Sequence, residues 1–548
     1  MSSSRHSRWI TASVCVAWLS GCTTSCQSSD GTIRSGGAAP SGKKGEVVGG
    51  LGKQVAPGDG IDLRATPDGK FVTYLLDAQK PRLDGIPPVM RLGALYAVST
   101  AGGEARKLGS GITNMPGGYL FTGDSRWVLF LVGYNVSAQS GELRAVDLND
   151  AKAEPVKLGS AVTYVVGSKD GRQVAFVDDG TLKVGMLPAG PFRDLAADVT
   201  VAEFAPDGKQ VYFKRKLTSA GGLYQVGVEG GSAPKKLGDR VGDFKVSPDS
   251  RYVAFATASV QSPGFYDLQL ADTATTKSKT VAVATNYFAF SPDSRWLARV
   301  EGYKGTSNLG ALMVGAADGS PGKKIGERVD VVNFAPASNG IAFLKNYSMS
   351  DTQGGTLGQG TLMVASLPLE GPAKSLGERV PGYVWSNDGK TLAFVERFFK
   401  PLYSVDLMVH SLGSAEQPYR VQQGVYGYLF SADDQYLMFR TGCIRNGRAC
   451  DLHTVEVAKL KEPPRKAVEG IFSFKPAAEG PRVLVTYART QGDVYDVAVY
   501  NLKSQERKTL DQLVKVPALF VAPDGSKAAY IMSEQGKQGV YVASDGIP

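Results

Sequence analysis

The chain has 548 residues, with 61 Lys and Arg against 52 Asp and Glu, a formal charge of +9. The excess is scattered as single residues, without a basic run interleaved with aromatics, so no nucleic-acid groove is expected. Three histidines in the whole chain argue against a histidine-built zinc site.

In chain order, the first element is a targeting segment. Arg5 and Arg8 precede an apolar run from Trp9 to Leu19, and the segment ends Leu19-Ser20-Gly21-Cys22. About eleven apolar residues are too few to cross a bilayer, which takes roughly 20, but they suit a secretory h-region. The ending resembles the lipobox of bacterial lipoproteins. That resemblance implies cleavage at residues 1–21, a diacylglyceryl group on the Cys22 thiol and acylation of the new amino group. Acyl chains worth ~0.8 kcal/mol per buried CH₂ would then hold the chain on a membrane. Thr23 stands where an inner-membrane retention signal would place Asp, so the resemblance implies the outer membrane of the cell envelope. Losing Arg5 and Arg8 leaves the mature chain at +7.

Residues 22–45 are Ser-, Gly-, Thr- and Lys-rich and read as a flexible tether, unable to bury enough surface to offset chain entropy. Lys43 and Lys44 either touch anionic lipid, at about 1 kcal/mol each, or are solvated surface charge. Cys26 has no evident partner.

From there one phrase repeats: an apolar pair, Pro-Asp-Gly or a relative, Lys or Arg, then a β-rich run. It surrounds Asp68, Asp124, Asp170, Asp207, Asp249, Asp293, Asp388, Asp433 and Asp524, with degenerate copies near Ala337 and Ala477. These eleven units lie 37 to 56 residues apart. Each continues with an alternating strand such as GLYQVGVEGG and a closing segment often ending Lys-Leu-Gly, as at 107–109, 157–159 and 236–238. Four short strands per unit bounded by Gly, Pro, Asp and Ser, with no 3.6-residue apolar stripe, predict an all-β fold of propeller blades.

The phrase resembles the WD40-like (PD40) repeat of TolB-type propellers, which also builds the propeller of prolyl oligopeptidase-like peptidases. The likeness covers nearly all of 45–548 and implies fold more than function. In such a turn Pro fixes φ, Asp accepts bonds from turn N–H groups and Gly supplies φ > 0. Ser replaces that Gly at 125, 250 and 294, so the left-handed demand there is expected to be relaxed or carried at some cost. The turn Asp residues read as scaffold rather than ligands. Asp293 stands in SPDSRW, which resembles the structural Asp-box of sialidases but lacks its Gly.

Rings usually hold 4–8 blades, so eleven units suggest two propellers, residues 46–335 and 336–548, divided near the degenerate unit and the Gly/Ser/Thr-rich 348–360. One feature cuts across this. The chain ends after the third strand of its last unit, while 46–55 looks like an orphan closing strand. Pairing of the two would imply one large ring or intertwined rings.

Cys443 and Cys450 flank six residues with Asn446-Gly447 at their centre, a strong hairpin signal, so they face each other. An oxidising compartment predicts a disulfide worth about 2–3 kcal/mol; two free thiols are the alternative. No Gly-x-Ser-x-Gly elbow, P-loop or dinucleotide fingerprint is found, and no cofactor is expected. His410 and His453 read as blade residues, and Asp178-Asp179 and Asp433-Asp434 as solvated turn acids. A lipid-anchored scaffold that binds a protein or cell-envelope partner is therefore expected, not an enzyme. The alternative is a glycan- or peptide-acting enzyme with its site in a propeller channel, for which Glu301, Glu396 and Arg397 stand off the repeat pattern. An inward cluster of acids with an Arg or Tyr would be its mark.

Overall fold

The computed structural model describes residues 51–548 except 84–85, 189, 216–220, 261–264, 303–309, 353–354, 400–403, 445–448, 489–493, 533–535, 545–546 and 548. The signal segment, the tether with Cys22, Cys26, Lys43 and Lys44, and Asn446-Gly447 lie outside the described residues.

The repeats fold into antiparallel sheets, five of four strands and three of seven. Each seven-stranded sheet is two blades sharing one long strand, so eleven blades follow one another along the chain. Val156–Gly167, Lys323–Phe334 and Arg507–Val521 are the shared strands. Each is the outer strand of one blade and then the inner strand of the next. Val162 and Val329 mark two of the corners, each pairing with a strand on either side. By first and last residue the blades are 61–113, 119–162, 162–196, 199–238, 241–285, 287–329, 329–380, 383–425, 428–471, 473–515 and 519–543.

Blade 11 takes its outer strand from the other end of the described residues. Lys53–Pro57 supplies it, pairing antiparallel with Gly539–Ala543 (Lys53 opposite Val542, Pro57 opposite Gly539). Of the closing strand expected over 46–55, the part from Lys53 pairs as expected, and residues 46–50 lie outside the described residues.

The apolar cores show what this closure produces. Alternation along each strand sends one set of side chains to each blade face, and every buried cluster joins two consecutive blades. Phe213 and Val226 of blade 4 pack with Val177 and Val184 of blade 3, for example. The same pattern recurs through all ten consecutive junctions. An eleventh cluster joins the last blade to the first, packing Ala529, Ile531 and Val540 against Val72, Tyr74 and Val98. Eleven junctions for eleven blades make a single closed ring, and residues 50–548 form one compact unit. The boundary expected at residue 335 falls just after Lys323–Phe334, the strand that blades 6 and 7 share. The segment 348–360 is part of the second hairpin of blade 7, where Ser348–Thr352 pairs with Gly355–Gln359.

The blade order also fixes two faces. Inner strands run toward the Asp turns, so one face carries those turns and the links from third to outer strands. The opposite face carries the hairpins from second to third strands and the crossings between blades. The outer strand Lys53–Pro57 runs from the turn face to the loop face, so the chain enters the ring on the turn face.

Candidate binding surfaces

The Asp turns are used by the fold itself. In seven copies a Ser or Thr two residues earlier donates its hydroxyl hydrogen to the Asp Oδ1, as Ser168 does to Asp170 (2.6 Å) and Thr66 to Asp68 (2.8 Å). The same Oδ1 accepts the N–H two residues on, from Lys70, Arg126, Arg172, Arg251, Arg295, Lys390 and Gln435. Asp207 and Asp524 follow Ala205 and Ala522 and keep only the second bond type, to Lys209 and Ser526. The hydrogen bond from Ser168, and then that from the Arg172 N–H, hold Asp170 below the usual carboxylate range. In the degenerate unit near Ala477 the turn slides by two residues: Ala477 N–H bonds Arg482 O, and Glu479 takes the acid's place.

The left-handed demand is not relaxed where Ser replaces Gly. Ser125, Ser250, Ser294 and Ser338 have φ of 63°, 64°, 62° and 60°, beside 67–74° for Gly69, Gly171, Gly208, Gly389 and Gly525. Each serine hydroxyl instead accepts the N–H at the turn-acid position of the preceding blade: Asp68 to Ser125, Asp207 to Ser250, Asp249 to Ser294 and Asp293 to Ser338 (2.9–3.0 Å). Asp434 (φ 54°) does the same with its carboxylate toward Asn387 and Asp388. An interblade bond offsets the ~1 kcal/mol of the strained backbone.

The other residues singled out in the sequence are dispersed. Asp178 Oδ1 accepts the Ala161 N–H of the preceding blade (2.8 Å), and Asp179-Gly180 makes the hairpin turn with both φ positive. Glu396 accepts the Glu378 N–H (3.1 Å), and Glu301 takes a bond from Arg299 (3.2 Å). The side chain of Arg397 lies outside the described residues. His410 is buried on the third strand of blade 8, and His453 on that of blade 9 lies against Phe439 (centroids 5.9 Å apart). Burial lowers both imidazoles below their ordinary range. Cys443 and Cys450 form a disulfide (S–S 2.02 Å, Cα–Cα 4.0 Å) beside the bulge at Gly442, in the loop-face hairpin of blade 9. Among the described residues no three His, Cys, Asp or Glu side chains converge as a metal-ligand set.

The inner strands hold chemistry that the sequence pattern did not single out. Residues four and six before the turn acid face the next blade at the channel edge. Many are apolar, among them Leu120, Val166, Val384, Leu429 and Phe520. Polar groups stand there in blade 1 (Asp62, Arg64), in blades 3 to 7 (Tyr164, Glu203, Asp243, Lys245, Tyr287 and Asn333) and in blade 10 (Ser473, Lys475). Several of these fasten one blade to its neighbour. Lys245 Nζ donates to Phe288 O (3.2 Å), Tyr287 to Val332 O (2.9 Å), and Asn333 to the Tyr383 hydroxyl (3.3 Å). Tyr383 donates to Ala342 O (2.7 Å) and Tyr428 to Gly382 O (3.0 Å), across the preceding junctions. Lys214 and Arg440, from second strands, bond Gly242 O and Phe472 O of the following blades. Burial pushes the Tyr287, Tyr383 and Tyr428 hydroxyls up and the Lys214 and Lys245 amines down.

Two carboxylates of this arc fasten nothing. Glu203 is open to solvent and Asp243 half-buried, and among the described residues neither has a hydrogen-bond or ion-pair partner. Desolvation by the channel wall, and then the charge of Asp243, push the Glu203 carboxyl above its usual range. Asp330, at the loop-face end of the inner strand of blade 7, is likewise raised by desolvation. A signal was present in the sequence: Glu203 and Asp243 stand at positions that several other copies fill with apolar residues or glycine.

The strand pairing defines the class: this is a β-propeller, with eleven blades among the described residues. No protein-family model matches the chain, and no curated protein is similar to it in sequence. Among solved structures it is similar to a eukaryotic initiation factor, at 11% identity over 68% of this chain and 95% of that one (TM-score 0.36). It is similar to the Dos1 propeller at 13% identity, over 63% and 91% of the two chains (TM-score 0.34). A putative TolB from Agrobacterium tumefaciens is similar at 13% identity over 41% and 83% (TM-score 0.24).

Proposed function

We propose that this protein is a lipid-anchored scaffold of the bacterial cell envelope that presents its loop face to a protein or cell-envelope partner. The observation that carries the reading is where the chain enters the ring. Lys53 begins the outer strand of blade 11 on the turn face. A chain lipidated at Cys22 and tethered through residues 22–45 would draw that face toward the membrane and leave the loop face pointing away.

The two faces suit those roles. The turn face is nearly uniform, its acids bonded within their own turns. The loop face is uneven: Phe71–Gln79 with Leu92–Ser99, and Gly340–Thr352 with Gly355–Ser366, carry their hairpins beyond the first bulge, whereas blade 3 closes tightly at Asp179-Gly180. Loops of unequal length on a rigid frame are where binding specificity usually resides. The Lys and Tyr groups of the inner edge donate to backbone carbonyls, which favours binding over catalysis as the role of the ring.

Palmitate labelling and membrane fractionation of the wild type and Cys22→Ala test the anchor. Labelling is expected only in the wild type, and equal labelling would defeat the reading. Cross-linking in intact cells, with Cys22→Ala as the mislocalised control, tests the partner. A specific envelope component captured only by the anchored form is expected.

A further inference from the structure

We infer that Leu51–Pro57 is a latch: a pull on the tether peels this segment from blade 11 and frees the seam between blades 11 and 1, while the blades stay folded. The inference rests on the scaffold reading for its load, since a chain held at Cys22 and by a partner on the loop face is pulled at Leu51.

One segment both receives the tether and closes the ring. The Leu51 N–H bonds Leu510 O of blade 10 (2.9 Å), and Leu51 packs with Leu510 and Tyr530. Lys53–Pro57 then pairs with Gly539–Ala543. A load arriving from residue 50 therefore meets these contacts before any others in the ring.

The contacts are few. Within Lys53–Pro57 only Ala56 is buried, and Lys53, Gln54 and Pro57 are exposed. The pairing shifts between Gln54 and Ala56. By comparison, Arg106–Thr113 of blade 1 buries Leu108 and Ile112, and Arg465–Ile471 of blade 9 buries Val468 and Ile471. Apolar stabilisation follows buried area, so one methyl group holds far less than two branched side chains. The polar ties are exposed: Gln54 Nε2 donates to Gln538 O (2.9 Å), and Lys515 Nζ to the Asp59 carboxylate (2.6 Å). Water and salt weaken such ties.

Connectivity points the same way. The outer strands of blades 1 to 10 follow their third strands across links of five to eight residues, which keep a parted strand beside its partner. Lys53–Pro57 is joined instead to Ile61–Ala65 of blade 1, so no short link returns it to blade 11. The seam it covers is also imperfect. Tyr74, where Phe130, Phe176 and Phe255 stand at other junctions, is fully buried between blades 1 and 11, and its hydroxyl has no partner among the described residues. A buried hydroxyl left unpaired weakens the packing that contains it.

Optical-tweezers loading of the purified full chain between its two ends tests the latch without a membrane. Because Lys53 lies opposite Val542, this pull parts the pairs one at a time from that end. The first event expected is a reversible lengthening of at most ~35 Å, the reach of ten extended residues, at a lower force than all later events. Gln54→Ala combined with Asp59→Ala should lower that first force and leave the later ones unchanged. Ala56→Asp, which puts a charge into the seam, should abolish the first event and keep the later ones. Lys183→Ala, which breaks an exposed ion pair in blade 3, should change neither. A longer first event, a first force that the double variant does not move, or loss of the later events in Ala56→Asp would overturn the latch. Such a failure leaves the anchor standing. Equal palmitate labelling of the wild type and Cys22→Ala would instead remove the load and leave the first event as it is.

Discussion

Blades 7 and 8 meet through Gly377 and Phe394, whereas blades 5 and 6 meet through Ala282 and Arg299. The positions are equivalent. Gly377 and Ala282 each pair with a third-strand leucine, Leu362 and Leu268, and Phe394 and Arg299 occupy the same place on the second strand of the following blade. At the first junction a Cβ on Gly377 would lie 2.8 Å from the Phe394 ring. The same interlock joins Gly109 to Phe130, Gly159 to Phe176, Gly238 to Phe255 and Gly326 to Phe343, at 2.4–3.1 Å. This is why Lys-Leu-Gly closes so many units: its glycine makes room for the next blade's phenylalanine. At the second junction the methyl of Ala282 fills that room. The phenylalanine is replaced by an arginine only 5% exposed, held by Glu301, with its Nη1 unpaired among the described residues. The repeat is thus defined by pairs matched across blades: five junctions carry Gly with Phe, and the others carry different pairs, Ala282 with Arg299 and Asp511 with Tyr530 among them.

The largest effect is expected where the common pair is broken. Phe255→Ala should destabilise the ring by about 4 kcal/mol, read as a fall in urea midpoint, because a fully buried ring is lost into a close-packed wedge. Gly238→Ala at the same junction should cost about 2 kcal/mol, since its Cβ would sit 2.4 Å from Phe255. A neutral result there would contradict the interlock.

The atypical junction should respond in the opposite sense to its restoration. Ala282→Gly with Arg299→Phe should raise stability by about 1–2 kcal/mol, as replacement of buried ion pairs by apolar packing often does. Arg299→Phe alone should gain less, because the Ala282 methyl remains. Glu301→Gln should lower stability by leaving the guanidinium without its counter-charge.

Smaller effects come from the turns. Ser250→Ala removes the acceptor for the Asp207 N–H and keeps a left-handed side chain, so a loss of about 1 kcal/mol is expected. Ser250→Gly also loses the acceptor but relieves the backbone, and should cost less. Asp170 is one of several turn acids that supply the pH dependence. Its carboxyl lies below the ordinary 3.8, so its contribution is complete above that value and is lost as pH falls through the folded-state value. Melting temperature followed from pH 7 to 2 should fall at the acid end, and Asp170→Asn should flatten that limb.

Much of this was legible in the sequence because the turn is local: Pro, Asp and Gly within four residues announce each blade. The exchange of Phe for Arg was also visible, as WLARVE beside VAF in neighbouring copies, though its meaning depends on Ala282 seventeen residues upstream. Other features were illegible for a physical reason. Ser250 looked like a loosened turn because its hydrogen-bond partner lies 43 residues away. Two rings and one ring need the same blades and nearly the same junctions, and what separates them lies far apart in sequence: Lys53–Pro57 pairs with Gly539–Ala543, and blade 11 packs on blade 1. Glu203 and Asp243 are ordinary strand residues until the ring places them on one wall.

The central claim is that one ring holds all eleven blades, and cryo-electron microscopy of the purified chain in detergent tests it most directly. End-on class averages should show a single ring of eleven spokes around an open channel. Two smaller rings, of six and five blades, would contradict the closure between the first and last strands and every conclusion drawn from the shared channel.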